Sequence, residues 1–185
     1  ITYDINYDMA GGVNAPTNPA TYTVETPDFT LANPTRAGYK FEGWSPADTL
    51  IETGSHGDLR FVARWSAPNI YAITYDLAGG VNAPANPATF TVESDTITLA
   101  DPTRLGYTFL GWTPQGTIPK GTTGDKAFTA LWSAPLVYGI TYVMNGGVNA
   151  AGNPATYTVE SAAITLAAPT RAGYAFTGWT PAGGI

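Results

Sequence analysis

The side chains able to do acid–base, nucleophilic or metal chemistry are few and scattered. His56 is the only histidine, and it sits in the Gly-rich run Thr53-Gly54-Ser55-His56-Gly57-Asp58. A structural or catalytic metal needs three or four converging His, Cys or carboxylate ligands. No second histidine exists and the chain holds no cysteine, so His56 reads as an exposed loop residue. The carboxylates Asp76, Glu93, Asp95 and Asp101 are the candidates for an acid/base pair. Only Glu25, Glu93 and Glu160 recur in equivalent surroundings, next to strand ends, and a solvated face is the expected role. No acid spacing fits a calcium loop. The Gly-Gly pairs lack the strand–helix setting and the lysine of a phosphate loop and read as turns. Arg36, Arg104 and Arg171 recur beside aromatics. Stacking on Tyr or Trp is expected of them rather than recognition of an acidic ligand. Lys40, Lys120 and Lys126 occupy no equivalent positions, which excludes a repeated intramolecular isopeptide bond. These residues predict no catalytic centre, no metal and no cofactor.

Composition narrows the remaining classes. Eight basic against fourteen acidic residues give a net charge of −6, and no Lys/Arg cluster is present. Binding to nucleic acid or to an anionic membrane through a basic patch is therefore not expected. Charged residues make up only 12% of the chain, about half the usual share. With 44% hydrophobic and 12% aromatic residues the chain nevertheless has enough apolar surface to fold. The uncharged run of residues 133–159 is broken by Gly and Pro, so no spanning helix and no direct membrane insertion are predicted.

The element that must position everything else is Pro102-Thr103-Arg104-Leu105-Gly106-Tyr107-Thr108-Phe109-Leu110-Gly111-Trp112. It also occurs at 34–44, with Gly38, Tyr39, Phe41 and Trp44, and at 169–179, with Gly173, Tyr174, Phe176 and Trp179. Alternation predicts a strand from the first Gly to the Trp. Tyr and Phe would lie on one face and Trp on the other. A second segment, Ile73-Thr74-Tyr75-Asp76-Leu77-Ala78-Gly79-Gly80-Val81-Asn82, lies 68 residues after its counterpart at Ile5 and 67 before that at Ile140. Residues 73–114 and 140–181 share 30 of 42 positions, which establishes tandem repetition. The expected units are 1–68, 69–135 and 136–185, each of four to five strands with little helix. Only the region 49–55 leaves room for a helical turn. The Gly/Pro/Thr-rich connection after the signature Trp has fourteen residues in the first unit (45–58) and thirteen in the second (113–125). It reads as an exposed loop. Trp65 and Trp132 close their units and open the stiff joints Trp65-Ser66-Ala67-Pro68 and Trp132-Ser133-Ala134-Pro135. An elongated array is expected. The third unit has no counterpart of 128–132, so either a longer array continues or a neighbouring chain supplies that strand. The first is the preferred reading.

These residues resemble the Listeria–Bacteroides repeat, the family of the internalin-B B-repeat. Its marks are Tyr75-Asp76-Leu77-Ala78-Gly79-Gly80, the signature 102–112 and the closing Ala130-Leu131-Trp132. The first unit matches all three, and the third matches the first two with Val143 in place of the Asp. The resemblance implies tandem β-grasp (ubiquitin-like) domains of a secreted or wall-anchored bacterial surface protein. It implies no catalytic residues.

The expected function is a non-enzymatic extracellular stalk, spacer or adhesive module, located at the bacterial surface or secreted. Its expected partners are other repeats of the same or a neighbouring chain, or a host or cell-surface protein or glycan. Two alternatives are a filament joined by strand exchange and a carbohydrate-binding module that uses outward Tyr and Trp. The sequence identifies no ligand-binding residue. It designates Gly38, Tyr39, Phe41, Trp44, Trp65 and their counterparts as structural signatures.

Overall fold

A computed structural model describes residues 1–180; the last five residues of the expected third unit lie outside it. The fold is all β, with no helix among the described residues.

The first repeat shows why. Its opening strand β1 (Tyr3–Asp8) alternates, with Ile5 buried and Asp4, Asn6 and Asp8 exposed. Five more strands follow: β2 (Thr21–Tyr22), β3 (Phe29–Thr30), β4 (Phe41–Ser45), β5 (Leu50–Ile51) and β6 (Leu59–Trp65). The main sheet has the order β2-β1-β6-β4. Its central pair, β1 and β6, is parallel, with Ile5 opposite Leu59 and Asp8 opposite Val62. β4 runs antiparallel to β6. A separate ribbon, β3 with β5, pairs Phe29 with Ile51. The core is Ile5, Tyr22, Leu31, Trp44, Ile51, Phe61 and Ala63, and Tyr3, Tyr7, Met9, Phe41 and Trp65 pack against it.

Six strands in each of the first two repeats exceed the expected four to five, and the difference lies in the connection after the signature Trp. That connection is not simply an exposed loop, and 49–55 holds no helical turn. Leu50-Ile51 forms β5 and buries Ile51 to 5% exposure. Two apolar residues among Gly, Pro and Thr were too short a signal to show alternation.

A second correction concerns the signature itself. The strand begins at Phe41, not at Gly38, because Gly38 (φ 76°) and Tyr39 belong to a turn closed by Tyr39 N–H donating to Arg36 O. Phe41 faces Trp65 and Gly43 faces Arg64, so one residue bulges out between them. The bulge shifts the alternation. Trp44 therefore comes within 5.5 Å of Phe41 and shares a cluster with Tyr7 and Phe61, rather than pointing to the opposite face. The Trp44, Trp112 and Trp179 indole N–H groups are buried without a partner among the described residues. An orphaned donor costs about 1–3 kcal/mol, a loss set against the ring packing.

In the second repeat the strands are β7 (Tyr71–Asp76), β8 (Thr89–Phe90), β9 (Ile97–Thr98), β10 (Phe109–Thr113), β11 (Thr117–Ile118) and β12 (Lys126–Trp132). By contacts the chain groups into two compact units. One comprises Ile1–Thr74, Ala85–Leu99 and Gly116–Ala127, and it holds the β7–β8 pairing of Tyr71 with Phe90 and the β9–β11 ribbon. The other comprises Tyr75–Pro84, Ala100–Gln115 and the chain from Phe128. It holds β10 against β12, with the same bulge between Phe109 and Gly111.

Among its described residues the third repeat contributes only β13 (Tyr138–Gly139) and β14 (Thr156–Tyr157), paired antiparallel, plus a bridge from Val148 to Thr170. Its signature, expected as a strand, is not one. In the other repeats that segment is held by β6 or β12, and residues 136–180 offer no equivalent partner. The aromatic contacts persist without the ladder: Phe176 lies 5.3 Å from Trp179, and Tyr142 5.6 Å.

Candidate functional site

Three recurring sites are built around the signature turn, and each begins with its arginine. The Arg36 guanidinium lies 3.6 Å above the Tyr39 ring, and Arg104 and Arg171 cover Tyr107 and Tyr174 at 3.7 and 3.9 Å. The other side of each arginine is the Gly-Gly turn: a Cβ placed on Gly11 would lie 3.5 Å from Arg36 Nε. The expected cation–π role is what the structure shows.

That Gly-Gly turn has its own supports. Asp8 and Asp76 accept from Ala10 and Ala78 N–H at 3.2 and 3.0 Å, and those alanines sit at positive φ (44° and 46°), as does Asn145 (45°), where Val143 stands in place of the Asp. The closing tryptophans seal the turn. Trp65 Nε1 donates to Met9 O at 2.9 Å and Trp132 Nε1 to Leu77 O at 3.0 Å. Their rings leave no room for a side chain at Gly12 or Gly80, where a Cβ would meet ring carbons at 2.4 and 2.6 Å.

On this platform, consecutive repeats meet. The Tyr39 hydroxyl donates to the Glu93 carboxylate, and Tyr107 donates in the same way to Glu160. Gly38 and Gly106 are buried because the next repeat's valine sits on them. A Cβ on either would come within 2.2 Å of Val92 or Val159. The Val-Glu pair is presented by a turn of fixed shape. Ser94 N–H donates to Thr91 O at 3.1 Å, Thr91 N–H to Ser94 Oγ at 3.0 Å and Glu93 N–H to Thr91 Oγ1 at 3.2 Å. The turn of residues 158–161 repeats the pattern at 3.1, 2.9 and 3.2 Å.

The joints are pinned back as well. Ser66 N–H donates to Lys40 O and Asn69 N–H to Gly38 O, at 2.9 and 2.7 Å. Ser133 and Leu136 do the same to Thr108 O and Gly106 O at the same distances. The hydrogen bond to Glu93 pushes the Tyr39 hydroxyl above its ordinary value of 10, desolvation adds to this, and Arg36 opposes it. Tyr107, with Glu160 and Arg104, is raised in the same way.

The recurring glutamates are therefore not simply a solvated face. Glu93 and Glu160 each hold the preceding repeat's tyrosine. The signal in the sequence was the constant valine before each glutamate, whose value became visible only when a glycine was found beneath it. The chemistry candidates do not converge. Asp76 supports a turn, Glu93 faces Tyr39 and Asp95 pairs with Lys120 at 3.0 Å on the surface. His56 is exposed, and no group of three His, Cys, Asp or Glu that could hold a metal occurs among the described residues. No described helix is long and apolar enough to cross a membrane.

A second feature is confined to the third repeat. An open groove of about 1270 Å³ runs between Ile140, Tyr142, Ile164, Leu166, Phe176 and Trp179. In the first repeat, residues equivalent to several of these enclose β6.

The sequence model of the Listeria-Bacteroides repeat domain matches residues 3–58, 71–129 and 138–183. The chain belongs to that family. Its three matched segments correspond to the three tandem copies, the third the shortest. A solved structure, described as Streptococcal High Identity Repeats in Tandem (SHIRT) domains 3-4 from a cell surface protein, aligns over 71% of this chain and 96% of its own. Identity is 17% and the TM-score 0.25, a likeness that carries no argument about this Listeria-Bacteroides repeat chain.

Proposed function

We propose that this chain is a non-enzymatic segment of a bacterial surface or secreted protein, a stalk or spacer that presents a neighbouring domain or contributes weak multivalent adhesion. The observation that supports it is the joint. The same valine-on-glycine contact, the same Tyr–Glu hydrogen bond and the same pinned linker occur at both repeat boundaries. Joints of this kind hold successive repeats in a fixed relation, which is what a spacer requires and a flexible tether lacks. We read the repeats as β-grasp-like on the parallel central pair seen in the first, with the expected boundaries near 68 and 135. Partners beyond the repeats would be host or cell-surface proteins or glycans, bound with avidity from many weak sites. The test uses pulsed dipolar spectroscopy between spin labels at His56 and Thr123. One narrow distance, broadened by Val92→Asp, supports a spacer with fixed joints. A broad distribution in the unmodified chain contradicts it.

A second reading, assembly by strand exchange, draws on the groove of the third repeat. A peptide spanning residues 126–132 should bind the chain there and quench or shift Trp179 fluorescence. Absence of binding sinks that reading. Sugar binding through outward tryptophans has weaker support, since Trp44 is 5% exposed and packs in the core.

A further inference from the structure

Within the chain, each joint has a donor, the Thr-Val-Glu-Ser/Thr turn, and an acceptor, the Arg–Gly–Tyr face of the preceding signature turn. Two such half-sites are not used within it. The donor turn of the first repeat is Thr23-Val24-Glu25-Thr26. It is already formed: Thr26 N–H donates to Thr23 O at 3.0 Å, Thr23 N–H to Thr26 Oγ1 at 2.9 Å and Glu25 N–H to Thr23 Oγ1 at 3.3 Å. These are the bonds that shape the two docked turns. Val24 and Glu25 are exposed.

The acceptor face of the third repeat is formed too. Tyr174 N–H donates to Arg171 O at 3.1 Å, Gly173 has φ 77° against 76° and 74° at Gly38 and Gly106, and Arg171 covers the Tyr174 ring. Here the space above the glycine is open. A Cβ on Gly173 would meet nothing within 4 Å, where Gly38 and Gly106 meet a valine. Tyr174 is 67% exposed.

We propose that these two preformed half-sites dock on each other between copies of this chain, Val24 on Gly173 and Glu25 on the Tyr174 hydroxyl. The interface is heterologous, so its repetition builds a head-to-tail series, open or closed into a ring, rather than an isologous dimer. Preformed turns and an already stacked arginine leave little to order on docking. The affinity is low, because the linker that brings the surfaces together within a chain is missing between chains. This inference rests on the reading of the joint as a specific docking element and extends it from within a chain to between chains.

The experiment is sedimentation equilibrium of the full chain up to about 1 mM, the local concentration that a short linker supplies within one chain. The unmodified protein should show an average mass that rises with concentration without a plateau at dimer. Val24→Asp, which spoils only the donor, and Tyr174→Ala, which spoils only the acceptor, should each stay monomeric. An equimolar mixture of the two retains one good donor and one good acceptor, and should form a dimer that goes no further. An unmodified chain that stays monomeric, or association that survives in both variants, overturns the proposal. If association survives and a 126–132 peptide abolishes it, the contact belongs to the groove instead. Failure here would leave the narrow His56–Thr123 distance untouched, so it is distinguishable from failure of the spacer reading.

Discussion

At the residue scale the Gly-Gly turn sets the local tolerances. Ala10 and Ala78 sit in the left-handed region, which costs an L-residue with a Cβ about 1 kcal/mol. The third repeat places Asn145 there, a residue better suited to that conformation. Ala78→Gly should therefore raise the stability of the chain by roughly 0.5–1 kcal/mol in urea, after allowing for glycine's greater chain entropy. A loss would show that the strain is not real. Gly12→Ala should do the reverse, costing about 1–3 kcal/mol, since its Cβ would lie 2.4 Å from the Trp65 ring. Gly147→Ala, with no tryptophan over it, should cost clearly less. The sequence announced the turn through Gly-Gly and the preceding Asp. It did not announce the tryptophan lid, because Trp65 is 53 residues further on and its pairing depends on the parallel β1–β6 register.

At the element scale, the short ribbon strands decide whether the unit has a core. Ile51 and Ile118 are 5% and 2% exposed, so Ile51→Ala or Ile118→Ala should destabilise by about 2–4 kcal/mol in chemical denaturation. A near-neutral effect would return these segments to the status of loops. The β3 end of the ribbon is tied by Asp28, whose carboxylate accepts from Thr53 N–H at 2.7 Å and Thr53 O–H at 2.9 Å. These bonds hold Asp28 below its ordinary 3.8. Because the folded value is depressed, this stabilisation is present above pH 3.8 and is lost as pH falls through the folded value. Asp28→Asn should flatten the acid limb of an unfolding profile, and an unchanged limb would mean that the tie contributes nothing. β1 and β7 were legible by alternation, as Tyr71, Ile73 and Tyr75 against Ala72, Thr74 and Asp76 show. The two-residue strands β5 and β11 were not, since a period needs more than two residues to be seen. The bulge at Glu42 defeated alternation within a strand whose presence was correctly expected.

At the scale of the whole molecule, the repeats were legible from offsets alone, whereas the joints between them were not. Tyr39 and Glu93 belong to different repeats, and only the fold brings a turn of one onto the signature of the other. The raised tyrosine pKa gives the joint a pH signature. Its stabilisation is fully present below pH 10, the unfolded value, and is lost as pH rises through the folded one. Tyr39→Phe should remove part of the alkaline loss seen in thermal melts between the two values. Identical melts for both proteins above pH 10 and below it would argue against a coupled hydroxyl.

The central claim is that Tyr39 of one repeat and Glu93 of the next act as a pair. A double-mutant cycle of Tyr39→Phe and Glu93→Ala on the stability of the full chain tests it most directly. The account predicts that the combined loss is smaller than the sum of the single losses, because either change alone breaks the same bond. Strictly additive losses would contradict it and leave the joint to the contact of Val92 with Gly38 and to the pinned linker.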